Sequence, residues 1–163
     1  MSVTSDEFRR ALGNFASGVT VVTSATAEGR PLGVTVASFA SLSLDPPLVL
    51  ICLDNRISMC EHLRQADRFA VNILAEDQAH VSNQFASRVD DRFAGVEHRP
   101  GVTGSPVLTA ALASIECRVV ERCPGGDHTI FLGHVEATEV RDERPLIYFR
   151  SRYGRLADET GSA

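Results

Sequence analysis

Three segments of the chain place polar side chains where a purely structural pattern would not need them. Residues 33–39, GVTVASF, form a strand-like run of small and hydroxyl-bearing residues that is followed by Ser41. Residues 52–58, CLDNRIS, lead into a stretch of helical composition, and residues 124–128, PGGDH, put a histidine directly after a glycine-rich turn. Each segment could contact a ligand in a different way.

The first segment could bind a flat ligand through its backbone. Small side chains let a ring approach the strand closely, and backbone N–H and C=O groups can then bind donors and acceptors on the ring edge. The same composition is typical of a half-buried strand whose threonine and serine hydroxyls face water. The residues of this segment alone leave both interpretations open.

The second and third segments suggest an anion site and a reachable imidazole. Ser58 is predicted to be a helix N-cap, and free N–H groups at a helix start bind anions, to which Arg56 would add positive charge. An ordinary capped helix has the same pattern. His128 enters a strand at the edge of the fold, which makes it the strongest candidate among the five histidines, although turn histidines are often merely exposed.

The composition excludes several other chemistries. All 16 basic residues are arginine, so a Schiff-base lysine and a Walker phosphate loop are both ruled out. The net charge of −5 argues against nucleic acid or an anionic membrane as partner. None of the four cysteines forms a Cys-x-x-Cys motif, so we predict free thiols and no metal site. The chain shows no signal peptide or apolar membrane span, and we therefore expect a cytoplasmic protein.

Hydrophobic periodicity predicts the elements that position these segments. A capping box at Thr4 and Glu7 should start an amphipathic helix, and residues 18–24 and 33–39 should pair as a hairpin. The wholly apolar run 48–53 predicts a strand buried on both faces. The remaining predictions are helices at 58–67 and 75–87, a surface excursion at 88–106, and strands at 69–73, 112–121, 129–140 and 146–149.

Six or seven strands with regular turns and a few short helices favour a small closed or nearly closed barrel. Regular helices do not separate the strands, which disfavours a parallel Rossmann-type sheet. No linker divides the sequence, so we expect one domain over residues 1–163, with a frayed polar tail at about 158–163.

Taken in order, these motifs resemble the short-chain flavin reductase family, the FMN-binding split barrels that serve two-component flavin-dependent monooxygenases. The resemblance covers nearly the whole chain and ends in a PLIY motif leading to Tyr153. The motifs that carry it are GVTVVT at 18–23, GVTVASF at 33–39, SLSLDPPLV at 41–49, FAVNIL at 69–74, FAS at 85–87, GDH at 126–128 and PLIY at 145–148.

The resemblance implies a mainly β fold, a six-stranded antiparallel split β-barrel with flanking helices. It also implies a homodimer with the flavin at the subunit interface. The expected activity is that of an NAD(P)H:flavin oxidoreductase. Such an enzyme reduces FMN or FAD with NADH or NADPH and supplies free reduced flavin to a partner monooxygenase component.

The resemblance further implies a set of site residues. The flavin ring would lie against Thr35, Val36, Ala37 and Ser38. The ribityl chain and phosphate would be held by Ser41, Asp54, Asn55 and Ser58, with Cys52 and Leu53 completing the cofactor-binding stretch and Phe85 and Ala86 closing over it. His128 would sit by the nicotinamide as the catalytic residue, and the dinucleotide would be held by Arg150, Ser151, Arg152 and Tyr153. A lysine that a relative uses at the phosphate would be replaced by Arg56, Arg88 or Arg92.

Three other functions compete with this one. The first is a non-catalytic flavin-binding split-barrel module, against which the GDH motif and Tyr153 argue. The second is an enzyme like pyridoxamine-phosphate oxidase, which would need a basic cluster for a second phosphate that the sequence does not show. The third is a flavin-free interaction domain.

Overall fold

The computed structural model describes residues 3–157, so the predicted tail at 158–163 lies outside the described residues. Over these described residues, three short helices accompany twelve strands, most of which pair in one sheet. The helices are α1 (Ser5–Leu12), α2 (Ser58–Gln65) and α3 (Ala79–Ala86). The strands are β1 (Ser17–Gly18), β2 (Thr20–Ala25), β3 (Pro31–Val36), β4 (Phe39–Leu44), β5 (Pro47–Asp54), β6 (Arg68–Ile73), β7 (His98–Pro100), β8 (Pro106–Leu108), β9 (Ala113–Gly125), β10 (His128–Val140), β11 (Ile147–Phe149) and β12 (Arg152–Gly154).

The first helix begins at the predicted capping box. The Thr4 hydroxyl accepts a hydrogen bond from the backbone N–H of Glu7, and the Glu7 carboxylate accepts one from the N–H of Thr4 at 2.9 Å. No residue of α1 is buried, and Phe8 and Leu12 are each more than half exposed. The amphipathic helix is therefore confirmed, but its apolar side is uncovered in the single chain.

The main sheet has seven strands in the order β3-β2-β6-β9-β10-β5-β4, and every neighbouring pair is antiparallel. The predicted hairpin of β2 and β3 is present, with Val21 opposite Thr35. The mainly β, antiparallel fold class is thus confirmed.

The two edge strands of this sheet, β3 and β4, are consecutive in the chain and separated only by Ala37 and Ser38. A flat seven-stranded sheet would be about 29 Å wide, whereas the three residue steps from Val36 to Phe39 span at most about 11 Å. The sheet must therefore curl until its edges meet at this linker. Counted as one bent strand, β3 and β4 give the six strands of the predicted barrel.

The core lies inside this curled sheet, with a second cluster beneath α3. Strand β5 shows how the residues divide, because Val49, Ile51 and Leu53 are buried while Leu50 and Cys52 between them are only partly covered. The prediction that this strand is buried on both faces is wrong for the single chain. The period of two places alternate side chains outside the barrel, where no element within residues 3–157 covers them fully.

Other boundaries also differ from the predictions. Residues 33–39 are not one strand, because the chain bends at Ala37 and Ser38. Ser58 is the first residue of α2 and not its cap, since Ile57 occupies the N-cap position without a side-chain hydrogen bond. The polar excursion at 88–106 contributes to the core through Phe93, whose ring lies 4.9 Å from that of Phe85.

Candidate functional site

The Ala37–Ser38 linker is an exposed stretch of backbone between two strands. Two hydrogen bonds join Ser38 to Cys52 of β5. The Ser38 hydroxyl donates to the carbonyl of Cys52 at 2.8 Å, and the Ser38 carbonyl accepts a hydrogen bond from the N–H of Cys52 at 3.1 Å. Val36 and Leu53 turn their side chains into the core and could contact a ligand only through backbone atoms. The predicted ring-binding stretch is therefore open and rigidly held.

The turn between β5 and α2 carries a strong ion pair. Two atoms of the Arg56 guanidinium donate to the carboxylate of Asp54, the closer at 2.6 Å. These hydrogen bonds hold the pKa of Asp54 well below its usual range, so that its carboxylate stays ionised. Arg56 is 86% exposed and Ser58 stands at the start of α2. A phosphate could reach Arg56 only as a second partner beside Asp54.

His128 is the first residue of β10, at the end of the turn formed by Gly126 and Asp127. Its Nδ1 lies 2.7 Å from a carboxylate oxygen of Asp127, and its side chain is 41% exposed. The hydrogen bond with His128 lowers the pKa of Asp127. With Nδ1 held by a carboxylate, Nε2 is the ring nitrogen that remains open to a ligand.

The outer face of β5 and β10 joins this histidine to a band of apolar side chains. Directly opposed residues of antiparallel strands point to the same side of the sheet. The partly covered pairs along this face are Leu48 with His134, Leu50 with Leu132, Cys52 with Ile130, and Asp54 with His128. We call these eight residues the outer face; the two candidate polar residues lie at one end of it.

Two predicted contacts on α3 have different surroundings. Phe85 is fully buried and its ring would clash with any side chain at Gly33, where a Cβ would lie 2.4 Å from it. The Phe85 ring therefore packs in the core beneath β3, and the predicted contact of Phe85 with a cofactor stays a prediction. Ala86 is exposed. Arg92 donates to the carbonyls of Gly33 and Ser87 and so pins the following loop to β3.

Two residues of the β11–β12 hairpin that are predicted to hold the dinucleotide, Arg150 and Tyr153, make hydrogen bonds within the protein. The Arg150 guanidinium donates to the side-chain oxygen of Asn14 at 2.6 Å, which ties the hairpin to the end of α1. The Tyr153 hydroxyl lies 2.9 Å from Ser82 and from Asn83 on α3. Ser151 and Arg152 are exposed and remain available to a ligand.

Ser82 is a connecting residue that sequence reasoning missed. Its backbone carbonyl accepts a hydrogen bond of 2.6 Å from the Thr35 hydroxyl, and its own hydroxyl accepts one from Tyr153. It therefore links the ring-binding strand to the C-terminal hairpin. No local pattern marks it, because its partners lie 47 and 71 residues away.

A groove of about 1250 Å³ opens beside the start of α2. It runs between that helix, the turn joining β2 and β3, and residues 89–93, and Ser58 lies on its rim. His62 lines it, with Nε2 2.9 Å from the hydroxyl of the buried Ser24. Burial lowers the pKa of His62, so its imidazole is neutral at pH 7. Among the predicted site residues only Ser58 and Arg92 border this groove.

Within residues 3–157, all four cysteines are free, and no cluster of three or more histidine, cysteine or acidic residues is placed to hold a metal ion. The same residues contain no helix long and apolar enough to cross a membrane.

Comparison with known proteins identifies relatives over most of the chain. The family model described as flavin reductase like domain matches residues 12–157. A probable flavin reductase of Rhizobium meliloti is 46% identical over 157 residues, which cover 95% of this chain and 50% of that protein. The chain thus spans about half the length of this relative. The reductase subunit HsaB of a flavin-dependent monooxygenase from Rhodococcus jostii is 42% identical over 147 residues, covering 90% of this chain and 75% of that protein.

Among solved structures, the NADH:FAD oxidoreductase SgcE6 of Streptomyces globisporus, in complex with NAD and FAD fragments, matches with a TM-score of 0.91. It is 35% identical, and the match covers 98% of this chain and 99% of that one. Sequence, fold and family model agree, and the resemblance inferred from the motifs is confirmed: the chain belongs to the flavin reductase like domain family.

Proposed function

We propose that the chain is an NAD(P)H:flavin oxidoreductase that supplies reduced flavin to a partner monooxygenase. The observation that carries the proposal is the likeness, over nearly the whole chain, to an NADH:FAD oxidoreductase that holds NAD and FAD fragments. HsaB, named as the reductase subunit of a flavin-dependent monooxygenase, supports the partner. The reaction would take place in the cytoplasm, where NAD(P)H is available.

The residues present fit a flavin. A bound flavin would supply the chemistry of accepting a hydride from the nicotinamide of NAD(P)H. The exposed backbone at Ala37 and Ser38 would bind the ring edge, with the hydroxyl of Ser41 nearby on β4. The phosphate would lie at the first turn of α2, where the N–H groups of Ser58 and Met59 precede the first hydrogen bond of the helix, from Cys60 to the carbonyl of Ile57. Arg88 is exposed and makes no side-chain hydrogen bond or ion pair with another described residue, so its charge is free for the phosphate.

The protein's task is then mainly to position two flat reactants. Holding reactants face to face lowers a barrier by about 7–11 kcal/mol in well-oriented cases. No side chain has to move a proton for the hydride to pass. His128 would bind the nicotinamide end through Nε2, on the same face as the ring-binding stretch.

The direct test mixes the purified protein with NADH or NADPH and, in turn, with FMN, FAD or riboflavin. Loss of the nicotinamide absorbance band in the presence of flavin, above the rate without protein, is the expected result. If neither NADH nor NADPH is oxidised with any of the three flavins while flavin still binds, the chain is the non-catalytic flavin-binding module.

We expect His128→Ala to raise the KM for the dinucleotide about tenfold and to leave kcat within about twofold. The reason is that the imidazole positions the nicotinamide and transfers nothing itself. Steady-state kinetics at saturating flavin measure both constants. His80→Ala removes an exposed histidine of α3 and is the matched control, expected to change neither constant. Loss of turnover at saturating dinucleotide would contradict the assignment.

The groove beside α2 supports FAD as the preferred flavin. With the phosphate at Ser58, which lies on the rim, the adenosine half of FAD would extend along the groove toward His62. FMN ends at the phosphate and would leave the groove empty. The volume exceeds that of ordinary ligand pockets and accommodates an adenosine.

We therefore expect FAD to bind at least about tenfold more tightly than FMN. Gln65 is exposed on the groove wall, and Gln65→Trp should weaken FAD binding while leaving FMN binding unchanged. Gln65→Ala is the control, and fluorescence titration of each flavin measures the dissociation constants. Equal affinity for both flavins, or an equal loss of both in Gln65→Trp, would mean that the groove holds no part of FAD.

The outer face supports the predicted homodimer. Its apolar residues Leu48, Leu50, Ile130 and Leu132 are only partly covered in the single chain, although the sequence of β5 is typical of a strand buried on both faces. A second copy of the chain packed against this face would complete that burial. His128 and Asp54 continue the same face, so the nicotinamide end of the site would lie at the edge of the subunit interface.

A further inference from the structure

The side chain of Asn55 makes several hydrogen bonds within the protein, most of them through its oxygen. It lies in the turn after β5, where its Oδ1 accepts hydrogen bonds from the Thr129 hydroxyl at 2.7 Å and from the Arg64 guanidinium at 3.0 Å. Its Nδ2 donates to the carbonyl of Gly126 at 3.4 Å, and its backbone N–H donates to the carbonyl of Asp127 at 3.0 Å. An oxygen that already accepts two short hydrogen bonds has little capacity left to accept one from a ribityl hydroxyl.

These contacts involve the residues on both sides of His128 in the sequence. Gly126 and Asp127 precede the histidine and Thr129 follows it, and all three are bonded to Asn55. The imidazole itself is oriented by Asp127, whose side chain is 87% exposed and whose backbone carbonyl is bonded to the N–H of Asn55. The Gly126 backbone has a φ of +70°, a conformation that glycine adopts without strain, so the contacts to Asn55 determine where the turn lies and not its local shape.

We propose that Asn55 is a positioning residue for dinucleotide binding, holding the turn that presents His128 and not the flavin itself. Arg64, a residue of α2, secures Asn55 from the other side, so the phosphate end of the flavin site and the histidine turn form one connected unit. This replaces the ribityl and phosphate contact predicted for Asn55 from the sequence. It rests on the proposed function, because the nicotinamide is the ligand that His128 would meet.

The test uses Thr129, whose hydroxyl bonds to Asn55 and whose neighbour is His128. Thr129→Val keeps the shape of the side chain and removes the hydroxyl, and Thr129→Ser restores it. We expect Asn55→Ala and Thr129→Val each to raise the KM for NADH about 3- to 10-fold, with flavin affinity and kcat unchanged and with Thr129→Ser close to the wild type. Thr138→Val, an exposed position later on the same strand, is the control.

The measurements are steady-state kinetics in NADH, flavin dissociation constants and thermal unfolding. Wild-type protein that oxidises neither NADH nor NADPH would defeat the proposed function. Wild-type activity together with a loss of flavin affinity in Asn55→Ala, and an unchanged KM for NADH, would defeat the positioning role alone. A parallel fall in thermal stability for Thr129→Val and Thr129→Ser with identical kinetics would also overturn it, since the hydroxyl would then be immaterial.

Discussion

We expect Glu116→Ala to lower the free energy of unfolding by about 2–5 kcal/mol. Glu116 lies on β9 with its carboxylate buried, and it accepts hydrogen bonds from the N–H of Val102 at 3.1 Å and of Thr103 at 2.7 Å. The Thr103 hydroxyl donates to the same carboxylate at 2.8 Å. Removing the carboxylate leaves these donors without a partner in a place that water does not reach freely.

The space around Glu116 adds to the effect. Gly101 packs so closely on the carboxyl group that a Cβ there would lie 2.4 Å from it, and truncation therefore leaves a cavity beneath the loop 101–105. Glu116→Gln keeps one acceptor and should fall between the wild type and the alanine variant. Glu121→Ala, an exposed position on the same strand, is the matched control and should change stability by less than about 0.5 kcal/mol.

Chemical denaturation followed by circular dichroism measures these differences, at one fixed protein concentration because association would contribute to stability. Equal midpoints for Glu116→Ala and Glu121→Ala would show that the loop 101–105 finds other partners.

The turn that carries His128 is an example of a structural feature that neighbouring residues in the sequence determine. Glycine in a turn and a strand beginning after it are local properties, so the position of His128 at the start of β10 could be predicted. The capping box of α1 and the hairpin of β2 and β3 were predictable for the same reason. The contact between Asp127 and His128 could also have been predicted, since the two residues are adjacent in the sequence.

Arg92, Arg150 and Tyr153 illustrate the opposite case. Their partners Gly33, Asn14 and Ser82 lie 59, 136 and 71 residues away in the chain, and no periodicity of the sequence reports such contacts. A polar side chain near a predicted site is equally able to bind a ligand or to hold the fold together. The folded arrangement shows that Arg92 and Arg150 each connect distant parts of the chain, while their predicted ligand contacts stay predictions.

Strand β5 differs from both cases, because its sequence is typical of a strand buried on both faces whereas one face is only partly covered in the single chain. An apolar run signals that both faces avoid water, but it cannot say whether the cover comes from the same chain or from another copy. The partial cover of Leu50 and its neighbour Leu132 is what a self-complementary interface would leave on an isolated subunit.

The homodimer proposal therefore has a sharp consequence at Leu132. We expect Leu132→Arg to convert the protein to a monomer and to reduce NAD(P)H-dependent flavin reduction by at least about tenfold, because an unpaired charge at a packed interface costs several kcal/mol. Val140→Arg, an exposed position at the far end of the same strand, is the control and should leave mass and activity unchanged. Light scattering gives the mass, and circular dichroism verifies that the variant is folded.

The two readouts separate the interface from the site. A monomeric Leu132→Arg protein with full activity would mean that one subunit holds the whole site, so that the histidine end needs no partner. A dimeric Leu132→Arg protein would place the interface elsewhere, with the uncovered apolar side of α1 as the next surface to alter. We expect the Leu132→Arg protein to be a monomer with reduced activity and weakened FAD binding if the outer face brings two copies together around His128.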